Sequence, residues 1–184
     1  MKNILILLAA FFLLTACVPF LDVAQMTPAQ IGAKTTVYRD DFKKNTSIVA
    51  MPLVFGDYGI DNYNLAVFKS DSSAIVLYSL EFKTLRGYSQ GWAFWDAAVD
   101  QDGKEFEVGT PSRDVLDGGS VRERISVNLT RAYLDSKRAT GVTIRIDGKG
   151  VEQVINVPGN YIAAFLDQAD TILKSNDYSQ AVHL

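Results

Sequence analysis

One cysteine, Cys17, and one histidine, His183, are all this chain has of two residue types that dominate metal ligation and nucleophilic catalysis. A single cysteine cannot close a disulfide within the chain, so stability has to come from packing. His183 falls in the polar stretch 175–184, which reads as a flexible tail, and a histidine there is badly placed as an oriented acid or base. That excludes Ser–His catalysis and His-based zinc sites, and neither metal nor cofactor is expected. Basic charge is not in excess either: 18 Lys and Arg are scattered among 21 Asp and Glu, for a formal charge of −3. No basic face for nucleic acid follows from such a pattern. No sequence repeats at a fixed period, which argues against solenoids and propellers, and beyond Leu21 no apolar run is long enough to span a membrane.

What the chain does have begins at its first residues. Lys2 precedes an apolar run, Ile4 to Leu14, that ends in Leu14-Thr15-Ala16-Cys17. A charged start, an apolar run of about 7–15 residues and small residues before a cut form the secretory pattern. The ending resembles the lipobox of bacterial lipoproteins. That resemblance implies cleavage before Cys17, so that residues 1–16 are a signal peptide and Cys17 carries a diacylglyceryl group and an amide-linked acyl chain. The thiol would then be consumed, closing Cys–His and thiol-redox chemistry as well. Each buried methylene contributes about 0.8 kcal/mol, and two or three chains make membrane residence effectively permanent. Left uncleaved, Ile4 to Leu21 would be an apolar span, but Pro19 removes a donor and breaks it near its end. By resemblance to enterobacterial lipoproteins, Val18 stands where an aspartate would retain the protein in the inner membrane. The expected address is therefore the outer membrane, facing the periplasm.

Cleavage removes only one charge, Lys2, and leaves a chain long enough to bury about 70 % of its unfolded surface in one domain. Residues 17–34 read as the lipidated N-terminus and a tether, in which Thr27-Pro28-Ala29-Gln30 suits a helical turn. A single β-rich domain is expected over 35–174. Short β-like runs occur at Thr35–Arg39, Thr46–Val54 and Tyr63–Lys69, and Ala74 to Thr84 alternates with Val76, Tyr78, Leu80 and Phe82 on one side. Gly91–Asp100 and Lys104–Val108 read as a hairpin around Asp100-Gln101-Asp102-Gly103. Arg113–Leu116 reads as a short edge strand. Val121, Glu123, Ile125, Val127 and Leu129 share one side of the next strand, with Glu123 as the odd member that needs a core or edge arginine. Thr130 can cap a short helix over Arg131–Ala139. Val142–Asp147 and Val151–Val157 form a second hairpin. Asn160 is placed to cap Tyr161–Lys174, where Ile162, Phe165, Leu166, Ala169, Ile172 and Leu173 mark one helix face. The fold class is α+β, mostly β: an antiparallel β-sandwich or partly closed barrel with a C-terminal amphipathic helix.

No motif names a reaction. Asp40, Asp41, Asp100, Asp102, Glu105, Glu107, Asp114 and Asp117 include adjacent carboxylates, but glycosidic hydrolysis needs one held neutral at a set distance from another. Asp100 to Gly103 begins like a calcium loop, yet position twelve is Pro111 rather than a glutamate. The best candidate for a binding surface is the aromatic cluster Tyr88, Trp92, Phe94 and Trp95. An extended strand would point Trp92 and Phe94 one way and Trp95 the other, so at least one Trp is expected in the core while the second offers a flat face for stacking on a sugar ring or a partner's side chain. Arg122 and Arg124, on the polar side of their strand with Arg145 as a neighbour, suit an anion. These residues describe a non-catalytic lipoprotein held at the membrane through Cys17 and binding an envelope protein or glycan. The alternatives are a lipid-anchored, carboxylate-dependent glycan hydrolase and a self-associating structural spacer.

Overall fold

A computed structural model describes residues 23–55, 61–175, 178 and 180–184. The expected signal peptide and Cys17 lie outside the described residues. In chain order a 3-10 turn, Val23–Gln25, and a short helix α1 (Pro28–Gly32) lead into β1 (Thr36–Asp40), β2 (Asn45–Val49), β3 (Leu53–Phe55), β4 (Asp61–Ser70) and β5 (Val76–Arg86). There follow β6 (Ala97–Asp100), β7 (Glu105–Phe106), β8 (Val108–Val115), β9 (Val121–Leu129), α2 (Arg131–Ser136), β10 (Val142–Gly148), β11 (Val151–Val157), α3 (Gly159–Ser175) and β12 (Val182–His183).

The strands form two sheets. In the larger the order is β12-β1-β2-β4-β5-β9-β8, with β3 continuing along β4 beyond β2; in the smaller it is β11-β10-β6-β7. All pairs are antiparallel except β1 with β12. The architecture is thus a mostly β, two-sheet sandwich with a C-terminal helix, and neither sheet closes into a barrel.

Alternation explains the central strands. Tyr78, Leu80 and Phe82 of β5 face Leu129, Val127 and Ile125 of β9 in register, and all six are buried in one core. A half-buried strand needs period two, and a one-residue slip would turn every one of these side chains to solvent. The sheets meet where Phe82 and Trp95 pack edge to face at 5.3 Å between ring centres, and where the Tyr63 hydroxyl donates to the Asn156 carbonyl. Helix α3 buries Tyr161, Ile162, Phe165, Leu166 and Ala169. The Tyr161 hydroxyl donates to the Met51 carbonyl at 2.7 Å and accepts from Leu65 N at 3.3 Å, which pins the helix to the larger sheet. Arg131 and Arg138 of the α2 region pair with Asp170 and Asp167 of α3.

Several boundaries differ from the sequence reading. The run Thr46–Val54 is two strands, because Pro52 has no N–H to donate and Met51 turns its carbonyl to Tyr161. Gly91–Asp100 is a strand only from Ala97; Gly91 and Phe94 have φ of 60° and 51°, left-handed values that interrupt an extended chain. Helix α2 stops at Ser136, ahead of Gly141 with φ 72°. Helix α3 starts at Gly159, so Asn160 lies inside its first turn, where its side-chain amide donates to the Val23 and Met26 carbonyls at 2.9 and 3.3 Å. From Val23 the segment read as a tether packs on the domain: Thr27 and Gln30 form a capping box and Ile31 is fully buried. Within the segment read as a tail, Val182 and His183 form β12.

Candidate functional site

The loop Gly87–Asp96 joins β5 to β6 and carries the aromatic cluster. Its entry is fixed by Arg86, whose Nε donates to the Gly91 carbonyl at 3.0 Å, and by Gln90, whose Oε1 accepts from Gly87 N at 3.0 Å. Its exit is fixed by Glu123. That glutamate is fully buried, and its carboxylate accepts from Ala93 N at 2.7 Å, Phe94 N at 3.2 Å and Arg113 Nε at 3.1 Å. Two successive backbone N–H groups are directed at this one carboxylate, and the second belongs to Phe94, which stands in a left-handed conformation.

A bulky residue with positive φ costs roughly 1–2 kcal/mol and persists only where its surroundings impose it. Here the imposition is visible. Glu123 holds the Phe94 amide from one side, and the Arg113 guanidinium lies 5.0 Å from the centre of the Phe94 ring. Phe94 stays 43 % exposed. Arg113 is therefore shared between a buried carboxylate and a partly exposed aromatic face, the geometry of a cation–π contact.

The structure separates the expected site residues. Tyr88 is 80 % exposed and lies over Gly119, where an added Cβ would come within 2.7 Å of its ring. Trp92 is half-buried. Trp95 is 3 % exposed and belongs to the core between Phe82 and Gly148. Of the two tryptophans, Trp95 is the one in the core, facing opposite to the exposed Phe94, so it does not contribute to an exposed binding surface. Its indole N–H and the Thr84 hydroxyl are buried with no hydrogen-bond partner among the described residues, so ring packing holds Trp95 in place.

The expected arginine site is not assembled either. Arg122 and Arg124 are on the outer face of the larger sheet, opposite in side to Glu123. Arg122 is bound to Asp114 at 3.1 and 3.2 Å, and Arg124 stands between Lys83 and Ser112 in register. Arg145 is on β10 of the other sheet and pairs with Asp147 at 3.0 Å. Comparison with family models, curated proteins and solved structures finds no match for this chain.

Of the carboxylates singled out in the sequence, Asp40 and Asp100 hold turns and several others are in ion pairs or cross-strand contacts. Asp100 is buried, accepting from the Tyr133 hydroxyl at 2.7 Å and from Asp102 N and Lys104 N at 2.9 Å each. Burial works against its ionisation, but those three donors outweigh burial and hold its carboxyl below the usual range. Asp102 pairs with Lys137 at 2.8 Å, Asp40 accepts from Phe42 N and Lys43 N, and Glu107 accepts from Asn128. Asp61 differs: burial raises its carboxyl above the ordinary value while it accepts from Leu85 N. Among the described residues no three His, Cys, Asp or Glu side chains are grouped to hold a metal ion, and no helix is long and apolar enough to cross a membrane.

The residues that the sequence reading underused are Arg113 and Phe94. The available signal was Glu123 on an otherwise apolar strand face, since a buried charge must find a partner.

Proposed function

We propose that this chain is a bacterial envelope lipoprotein, anchored through lipid on Cys17 to the outer membrane and facing the periplasm, whose β-rich domain is a non-catalytic binding module. The binding surface is the loop Gly87–Asp96 with Tyr88, Trp92 and Phe94, and Arg113 behind it. The observation that carries this reading is Phe94: a partly exposed aromatic residue held in a left-handed conformation by a buried carboxylate and a stacked arginine. Packing does not need such a residue, because a glycine would take that conformation without strain. Rigid aromatic faces with a nearby arginine are the composition of interface hot spots, which supports an envelope protein as the partner ahead of a glycan.

The experiment has two arms. Labelled palmitate should enter the wild-type chain in its bacterial host and fail to enter Cys17→Ala; equal labelling of both removes the anchor. In the second arm, the lipidated protein is recovered from whole envelopes after crosslinking. Tyr88→Ala and Phe94→Ala should fold and lose the co-purifying partner, whereas Arg124→Ala should keep it. Retention of the partner by both aromatic variants refutes the loop as the binding surface.

A further inference from the structure

The larger sheet has two edges, and they are treated differently. At the β8 edge Pro111 removes a donor and the register slips between Gly109 and Ser112, two devices that keep an edge from pairing with another chain. The β1 edge, Thr-Val-Tyr-Arg-Asp, has neither proline nor register slip. It is covered instead by β12, which pairs in parallel through only two positions, Tyr38 with Val182 and Arg39 with His183. We propose that the edge of β1 is a strand-addition site, and that it takes β12 of a second copy of this chain in exchange for its own.

The contacts that hold β12 are all of a kind that can be broken and remade. The Leu184 N–H donates to the Arg39 carbonyl at 3.0 Å. His183 Nδ1 is 2.8 Å from Asp41 Oδ2, and both side chains are more than half exposed. Arg39 completes the edge: its Nε reaches Asp41 at 3.3 Å, its fork grips Asp71, its Nη1 donates to Thr46 Oγ1 at 2.8 Å, and its guanidinium lies 5.3 Å from the centre of the Tyr178 ring. Neither Val182 nor His183 joins the hydrophobic core. Departure of β12 therefore opens no cavity, while it uncovers the row of β1 backbone groups that strand addition uses. Exposed ion pairs contribute little, so main-chain bonds carry most of the attachment. The same bonds form with the strand of another copy, and the choice between own and exchanged strand depends on protein concentration. This inference concerns a different face from the aromatic loop and does not depend on it.

The test uses the full chain in detergent with Cys17→Ser, as two populations, one with Tyr38→Cys and the other with Val182→Cys. These positions face each other in register. After mixing and mild oxidation, the expected result is a disulfide-linked dimer joining the two populations, rising with concentration and in several-fold excess over a control pair of Tyr38→Cys with Glu152→Cys. A single chain carrying both Tyr38→Cys and Val182→Cys should lock within itself when dilute and shift to dimer when concentrated. The proposal is overturned if the mixed populations stay monomeric at every concentration while the double variant locks within itself. It is equally overturned if the control pair crosslinks as well, or if the double variant forms no bond at all.

Discussion

Replacing Glu123 by alanine removes the single acceptor shared by Ala93 N, Phe94 N and Arg113 Nε. Ala93 is fully buried, so its N–H loses its partner without gaining water. Each buried donor left unmade costs about 1–3 kcal/mol. Arg113 is 37 % exposed, so its guanidinium recovers solvent and adds little. With two such donors, Ala93 N and Phe94 N, the expected loss for Glu123→Ala is about 3–5 kcal/mol. At about 2–4 °C per kcal/mol for a chain of this size, that is a fall in Tm of about 6–20 °C. Glu123→Gln keeps the shape but offers one carbonyl to two N–H groups, and its loss should be intermediate. Urea unfolding followed by tryptophan fluorescence reads the free energy, since Trp95 is buried within the element that moves. Hydrogen exchange at Ala93 and Phe94 reads the site. A Glu123→Ala loss below about 1 kcal/mol, or unchanged protection at those two amides, would refute the role given to this carboxylate.

Trp95→Ala empties a core position and should cost about 3–5 kcal/mol, whereas Tyr88→Ala should stay within about 0.5 kcal/mol of wild type; a reversed order in the same urea assay would contradict the assignment of core and surface. Gly148→Ala places a Cβ 2.7 Å from the Ala93 carbonyl and 3.0 Å from the Trp95 ring, and should destabilise by about 1–3 kcal/mol. Gly32→Ala meets only the Gln168 side chain at 3.6 Å and should be neutral or stabilising in thermal unfolding. Acid should weaken the fold in a defined window. The Asp170 carboxyl is held below its ordinary value by Arg131, the Asp71 carboxyl by Arg39, and Asp100 by its donors despite burial. Their contribution is complete above the unfolded value near about 3.9 and is lost as pH falls through the lower native values, while Asp61, raised by burial, acts on the other side of that value, its penalty being relieved as pH falls through its raised native value toward about 3.9. The urea midpoint should fall steeply below about pH 4, and a flat midpoint from there to about pH 2 would contradict the assignment.

Where a residue's environment was set by its near neighbours in sequence, the sequence was readable. The alternation of β5 and β9 and the apolar face of α3 follow from periods of two and of three to four, and the structure has all three. The Asp100–Gly103 turn was legible because Asp100 caps amides two and four residues away. The aromatic loop was not, because its left-handed step at Phe94 is imposed by Glu123, 29 residues further along the chain. The alternation nonetheless put Trp95 on the side opposite Phe94, and that is how the two side chains lie. The arginines failed for a related reason: Arg122 and Arg124 do share a face, but the strand beside them is β8 with Asp114, not β10 with Arg145. Strand β12 was invisible because its partner, β1, lies far upstream and gives no local pattern. Glu123 itself was legible as an anomaly, and a buried charge on an apolar strand face turned out to be the most informative residue of the domain.

The most direct test of the account is site-specific photocrosslinking in living cells of the lipidated protein. A photoreactive aromatic residue replaces Tyr88 in one strain and the exposed Glu152 of β11 in another. The account predicts a discrete adduct from position 88, absent from position 152, and lost when Phe94→Ala is introduced. The same adducts from both positions, or none from position 88, would contradict the aromatic loop as the surface through which this protein meets its partner.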